Sequence, residues 1–162
     1  MRKWLAAGAA QLAVLPVFLV VMSAAVLGGT ASAAACGFGG QAQEVAGVRL
    51  DPEQLANAKT IVATTLRTGM SARAALVAVA TAMQESGLRN VHFGDRDSLG
   101  LFQQRASWGP AGLRLDPVAA TVLFLQALAA VPHWELLPIT VASDQVQHSA
   151  FPSAVARWES VA

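Results

Sequence analysis

The chain has 162 residues, room for one domain of the usual size of about 100–150 residues plus a short appendage, and too few for a second catalytic domain. Its 11 basic and 10 acidic side chains leave a net charge of +1, and with Arg2 and Lys3 set aside the rest is close to neutral with its cations spread singly. That pattern excludes the basic patch by which a nucleic-acid partner is held, and one cysteine excludes both an intramolecular disulfide and a cysteine zinc cage.

Residues 1–35 read as an export segment. Arg2 and Lys3 precede an apolar stretch from Leu5 to Leu27, and no further charge occurs before Glu44. The small-residue site Ala31-Ser32-Ala33 fits a cleavable signal peptide, and the apolar run is equally long enough, against the ~20 residues a bilayer requires, to stay as a membrane anchor. Either way the rest of the chain is expected outside the cytoplasm, in the extracellular space or cell wall or anchored to the outer face of the cytoplasmic membrane. Cys36 follows three alanines; it is read as an isolated thiol in a tether or, alternatively, as a lipid-attachment site. Residues 36–47 are rich in Gly and Ala and read as a flexible linker.

The domain is placed at 48–162 and is expected to be all-α. Asp51-Pro52 with Gln54 forms a capping-box signal, and the apolar spacing after it predicts a helix ending near Gly69. Ser71 then opens a helix over 72–86 that is apolar nearly all round, as the buried central helix of a domain would be, and Gly87 stops it. Residues 88–97 are polar and predict a shaped loop. Ser98 to Arg105 reads as a short helix broken by Trp108-Gly109-Pro110. Asp116-Pro117 opens a helix to about Val131, with Val118, Val122, Leu125 and Leu128 on one face. Further helices are predicted over 140–149 and from Pro152, and no segment argues strongly for a strand. Trp134 and Trp158 are spaced like core anchors.

Glu85 stands out by position, because a carboxylate in the last turn of a helix meets the negative end of its dipole. Repulsion there, added to partial burial, raises a carboxyl pKa toward the range a general acid needs. Ser86 follows it directly, and Gly100-Leu101-Phe102-Gln103 ends 18 residues later. This pairing, with the run from Gly94 to Arg105, resembles soluble lytic transglycosylases and goose-type lysozymes, and most closely the exported lysozyme-like proteins of actinobacteria.

The resemblance covers roughly residues 53–160. It implies a lysozyme-like fold acting on peptidoglycan glycan strands, with Glu85 protonating the glycosidic oxygen between N-acetylmuramic acid and N-acetylglucosamine. Ser86, Ser98, Gly100, Gln103 and Gln104 would surround the sugar, with Gly100 letting the backbone approach the catalytic helix. Trp108 is the tryptophan expected to stack on sugar. No metal or cofactor is implied.

Asp95 or Asp97 would be the second acid of an inverting hydrolysis, or both would pair with Arg89, Arg96 or Arg105 and shape the loop. Lytic transglycosylases also carry a tyrosine against the glutamate, and this chain has none. His148 is the nearest counterpart, either as a hydrogen-bonding substitute or as a surface histidine. The resemblance implies lytic transglycosylation, which needs one carboxyl because the muramic acid's own 6-hydroxyl attacks, ahead of lysozyme-type hydrolysis. The competing expectation is a catalytically idle lysozyme-like module that binds glycan or serves as an assembly part of a cell-envelope machine.

Overall fold

A computed structural model of the chain describes residues 41–148 and 152–162. The export or anchor segment, Cys36 and residues 149–151 lie outside the described residues. Among the described residues no helix is long and apolar enough to cross a membrane.

The first described element corrects the sequence reading. Strand β1, Gln43–Val45, pairs antiparallel with β2, Val48–Leu50, with Glu44 opposite Arg49 and Val45 opposite Val48. The two-residue turn has Ala46 at φ 48° and Gly47 at φ 79°, the positive-φ pair that matches strand twist in a tight hairpin. Strand β1 thus lies inside the span read as a linker. Three-residue strands carry almost no periodic signal, and the order comes from Leu50, buried in the core, and from Val45 and Val48 packed against it.

Helix α1, Pro52–Arg67, starts on the full capping box: the Gln54 amide donates to Asp51 Oδ1 at 3.0 Å, and the Asp51 amide to Gln54 Oε1 at 2.9 Å. It ends at Thr68, with Gly69 at φ 78° just beyond. Helix α2, Ala72–Ser86, has nine buried residues from Ala74 to Met83, which makes it the central helix. It packs against α1, against α4 (Pro117–Ala129), against α5 (Ile139–Gln147) and against a C-terminal 3-10 helix, Pro152–Trp158. Gly87 stops α2 in the left-handed conformation at φ 63°, as its missing Cβ allows.

Between α2 and α4 the predicted helix over 98–105 is absent. The chain instead makes a tight turn in which Leu99 and Gln104 exchange backbone hydrogen bonds of 3.1 and 3.0 Å. Gly100 at φ 74° and Gln103 at φ 48° reverse the chain, and neither conformation fits a right-handed helix. A 3-10 turn, Ala106–Trp108, and one helical turn, α3, Ala111–Arg114, follow.

Asp116 caps α4 through the Ala119 amide at 2.7 Å, with Pro117 in the first turn. The face α4 buries is Ala120, Thr121, Phe124, Leu125 and Leu128, whereas Val118, expected on that face, is exposed. A 3-10 turn at Trp134–Leu136 links α4 to α5 and buries Trp134. Trp158 is half-buried against the core.

Phe124 also stacks on Phe102 of the tight turn, with ring centroids 4.7 Å apart and planes 13° from parallel. Phe124→Ala should cost about 3–5 kcal/mol, measured by urea denaturation, and Phe124→Leu less than half of that. Equal losses for both would mean that ring stacking and volume at this position do not hold the turn to α4.

Candidate functional site

Glu85 sits in the last turn of α2, with a fixed residue on either side. Gln84 Oε1 accepts from Arg157 Nη2 at 2.9 Å and from Trp158 Nε1 at 3.1 Å, so the C-terminal 3-10 helix is clasped to α2. The Ser86 hydroxyl donates to the Leu101 carbonyl at 2.8 Å, across 15 residues, and thereby joins the end of α2 to the tight turn. Glu85 itself is half-buried and has no hydrogen-bond or ion-pair partner among the described residues. Burial without a compensating cation raises its pKa above the ordinary carboxyl value.

The exit of α2 is held from α1. Gln54 Nε2 donates to the Gly87 carbonyl at 2.8 Å and Asn57 Nδ2 to the Leu88 carbonyl at 2.7 Å. Arg89 then bridges to Glu53 at 3.0 Å and to Asp51. The Gln54 amide, and after it the Arg89 guanidinium, hold the Asp51 carboxyl below its usual value.

The turn is fastened on every side. Gln147 Nε2 of α5 donates to the Phe102 carbonyl at 2.8 Å, and Gln104 Nε2 to the Ala120 carbonyl of α4 at 3.0 Å. Arg114 is buried and gives its donors to the Gly109, Asp97 and Gln104 carbonyls at 2.8, 2.7 and 3.0 Å. Leu101 and Phe102 are fully buried, which contributes about 1.5–3 kcal/mol per side chain toward holding the turn in place.

Several residues assigned to the site from sequence have different places. Gln104 is 1 % exposed and Ser98 is buried, so both are structural and neither lines an open surface. The missing Cβ of Gly100 makes room for the Arg114 carbonyl, which a Cβ would meet at 2.1 Å, rather than for α2. Trp108 is half-buried against the core. His148 is exposed at the end of α5, in the left-handed region at φ 52°.

Gln103 retains a partly exposed side chain, but its Nε2 is directed inward, to the Phe93 and Gly100 carbonyls at 3.3 and 3.2 Å. Its Oε1 lies against Gly94, where a Cβ would stand 1.9 Å away.

The two candidate second acids also separate. Asp97 accepts from the Ala106 amide at 2.7 Å and from Arg105, and these contacts, the amide first, lower its pKa. Asp95 has its side chain 87 % exposed, with Arg96 3.9 Å away. Arg89, offered from sequence as a partner for these aspartates, is engaged with Asp51 and Glu53 instead.

Sequence reasoning missed Arg114 and Gly94. An arginine in a short helical turn carries no local signal of burial, and the need for glycine at 94 arises from the Gln103 side chain nine positions away and the Ser98 carbonyl. Among the described residues no cluster of His, Cys, Asp or Glu is arranged to hold a metal ion. No protein-family model matches the chain, and no curated protein is significantly similar to it in sequence.

The two glycines should respond differently to alanine. At Gly100 a Cβ meets the fixed Arg114 backbone and the φ of 74° is strained for alanine, so Gly100→Ala should cost about 2 kcal/mol or more in urea denaturation. At Gly94 the nearest obstacle is the movable end of Gln103, followed by the Ser98 carbonyl at 2.8 Å, so Gly94→Ala should cost less and shift the Gln103 side-chain amide resonances. The opposite ranking would contradict this account of the turn.

Proposed function

We propose that the chain is an exported peptidoglycan-cleaving protein of the lysozyme-like group, acting on the β-1,4 bond between N-acetylmuramic acid and N-acetylglucosamine with Glu85 as general acid. The observation that carries the reading is the half-buried Glu85 carboxyl, raised in pKa by burial and joined through Ser86 to the turn bearing Gln103. A protonated carboxyl near neutral pH is what protonation of a leaving glycosidic oxygen requires.

Transglycosylation is favoured over hydrolysis by the state of the two aspartates. Hydrolysis with inversion calls for a second carboxylate free to orient water. Both Asp97 oxygens are engaged, and Asp95 projects into solvent. In the one-carboxyl route Glu85 gives its proton to the glycosidic oxygen as the bond to the anomeric carbon of muramic acid breaks. The 6-hydroxyl oxygen of the same sugar bonds to that carbon, and its proton returns to Glu85, leaving a 1,6-anhydro end.

The second reading is a catalytically idle glycan-binding or assembly module. Its support is the absence of any tyrosine from the chain together with the unpartnered state of Glu85 among the described residues.

The full-length chain incubated with purified murein should release anhydromuropeptides detectable by mass spectrometry, and Glu85→Gln should lower the rate about 10²- to 10⁴-fold. Reducing ends would replace transglycosylation by hydrolysis, and no cleavage by the unaltered protein would leave the idle module.

The pH dependence has a definite sign. Activity should fall as pH rises through the raised Glu85 pKa, because the acid form is lost. The native state also holds this proton more tightly than the unfolded state, so Glu85 lowers stability increasingly as pH rises above its ordinary value of 4.5. Glu85→Gln should therefore melt at the same or a higher temperature than the parent at pH 7, and the gap should narrow toward pH 4. A gap that widens in acid would sink the assignment of a raised pKa.

A further inference from the structure

Phe93 is 75 % exposed, in the loop that leads from α2 to the tight turn. Folding does not require an aromatic ring there. Its neighbours His92, Gly94, Asp95 and Arg96 are exposed as well, while the nearest apolar residues, Val91 and Leu99, are partly buried and the next, Leu88 and Leu101, fully so. The backbone that carries the ring is nevertheless tightly held. The Phe93 carbonyl accepts from Gln103 Nε2 at 3.3 Å, and Gly94 closes on Gln103 so nearly that a Cβ would overlap its Oε1. The Gly100 amide donates to the Val91 carbonyl at 2.8 Å, the Ser98 amide donates to the Asp95 carbonyl at 3.0 Å, and Arg89 anchors the start of the loop to α1.

We infer that Phe93 is the sugar-stacking platform of this protein, a specificity-determining side chain that receives the apolar face of an N-acetylhexosamine ring next to Gln103. The inference rests on the glycan-directed reading of the site and adds a residue that reading did not include. An aromatic ring held out in solvent on a fixed backbone offers a flat apolar surface with a negative face, which complements the C–H-rich face of a pyranose. Because its backbone is already held, the ring meets a sugar with little ordering cost. Trp108, expected from sequence in this role, is half-buried and packed against the core. Leu136 is exposed to a similar degree but is aliphatic and belongs to the turn between α4 and α5. Gln103 complements the platform: with Nε2 occupied by two carbonyls, Oε1 is the atom it can offer, as an acceptor for an N–H or O–H of the bound sugar.

The test uses full-length protein carrying Glu85→Gln, so that ligand is not consumed, titrated calorimetrically with a tetramer of N-acetylglucosamine and with soluble glycan strands. Adding Phe93→Ala should weaken binding about three- to ten-fold. Phe93→Trp should restore it, and Phe93→Leu should behave like the alanine variant. Melting temperatures should stay within about 2 °C of the parent, since an exposed side chain contributes little to the core. Equal binding by the parent and Phe93→Ala, or full binding by Phe93→Leu, would overturn the platform. Cleavage by protein with Glu85 intact is scored separately: absence of cleavage alongside Phe93-dependent binding removes the catalytic reading and keeps the platform, whereas a parent that binds neither glycan removes both.

Discussion

A hydroxyl at the last residue of a helix usually turns back onto its own helix or out to water. Ser86 does the first weakly, with 3.2 Å to the Ala82 carbonyl, and also reaches the Leu101 carbonyl at 2.8 Å. That second bond joins the most buried helix to a turn that has no regular structure of its own. The turn in turn supports its neighbours: Phe102 supplies one ring of the stacked pair, Gln104 reaches α4, and its backbone accepts from Arg114 and Gln147. If the turn moved off α2, Gly100, Gln103 and the loop bearing Phe93 would move with it.

The carboxylates near this junction follow two regimes. Asp51 and Asp97 each accept a backbone N–H and an arginine, and both are stabilised as anions. Glu85 sits in the last turn of α2 without either kind of partner among the described residues, so burial alone sets the direction of its shift. Of the first three arginines that follow it in sequence, Arg89 and Arg105 are engaged with Asp51, Glu53 and Asp97, and Arg96 lies against Asp95 in solvent. The fold thus distributes its cations so that the anions shaping the loop are paired, while the half-buried Glu85 carboxyl is shifted toward its acid form.

What the sequence disclosed was the structure encoded by neighbours. Asp51 with Gln54, Asp116 with Pro117, and Gly87 after an apolar run are contacts within four residues, and each marks a helix end that the structure shows. Segment 98–105 was misread because its apolar spacing is compatible with a helix while its conformation is set from afar, by Arg114, Phe124, Ala120 and Gln147. The site divides along the same line. Glu85 and Ser86 were singled out by their spacing to Gly100-Leu101-Phe102-Gln103, since a helix-end glutamate alone has an ordinary explanation. The neighbours Gln103 and Gln104 were not distinguishable, because only the turn's geometry sends one side chain to the surface and the other into the core. Hairpin 43–50 escaped notice because its order is borrowed from the core that it covers.

The clasp on Gln84 sets an order in time. Gln84 precedes Trp158 by 74 residues, and the tight turn, α3, α4 and α5 lie between them. A chain emerging from its N-terminus makes α2 first and acquires the residues that lock its end only when the 3-10 helix Pro152–Trp158 is synthesised. Until then Glu85 is carried on a helix whose terminus is tied to the tight turn but open toward the C-terminal side. The end of α2 is thereby locked only after Arg157 and Trp158 have been made, a delay written into the connectivity rather than into any single contact.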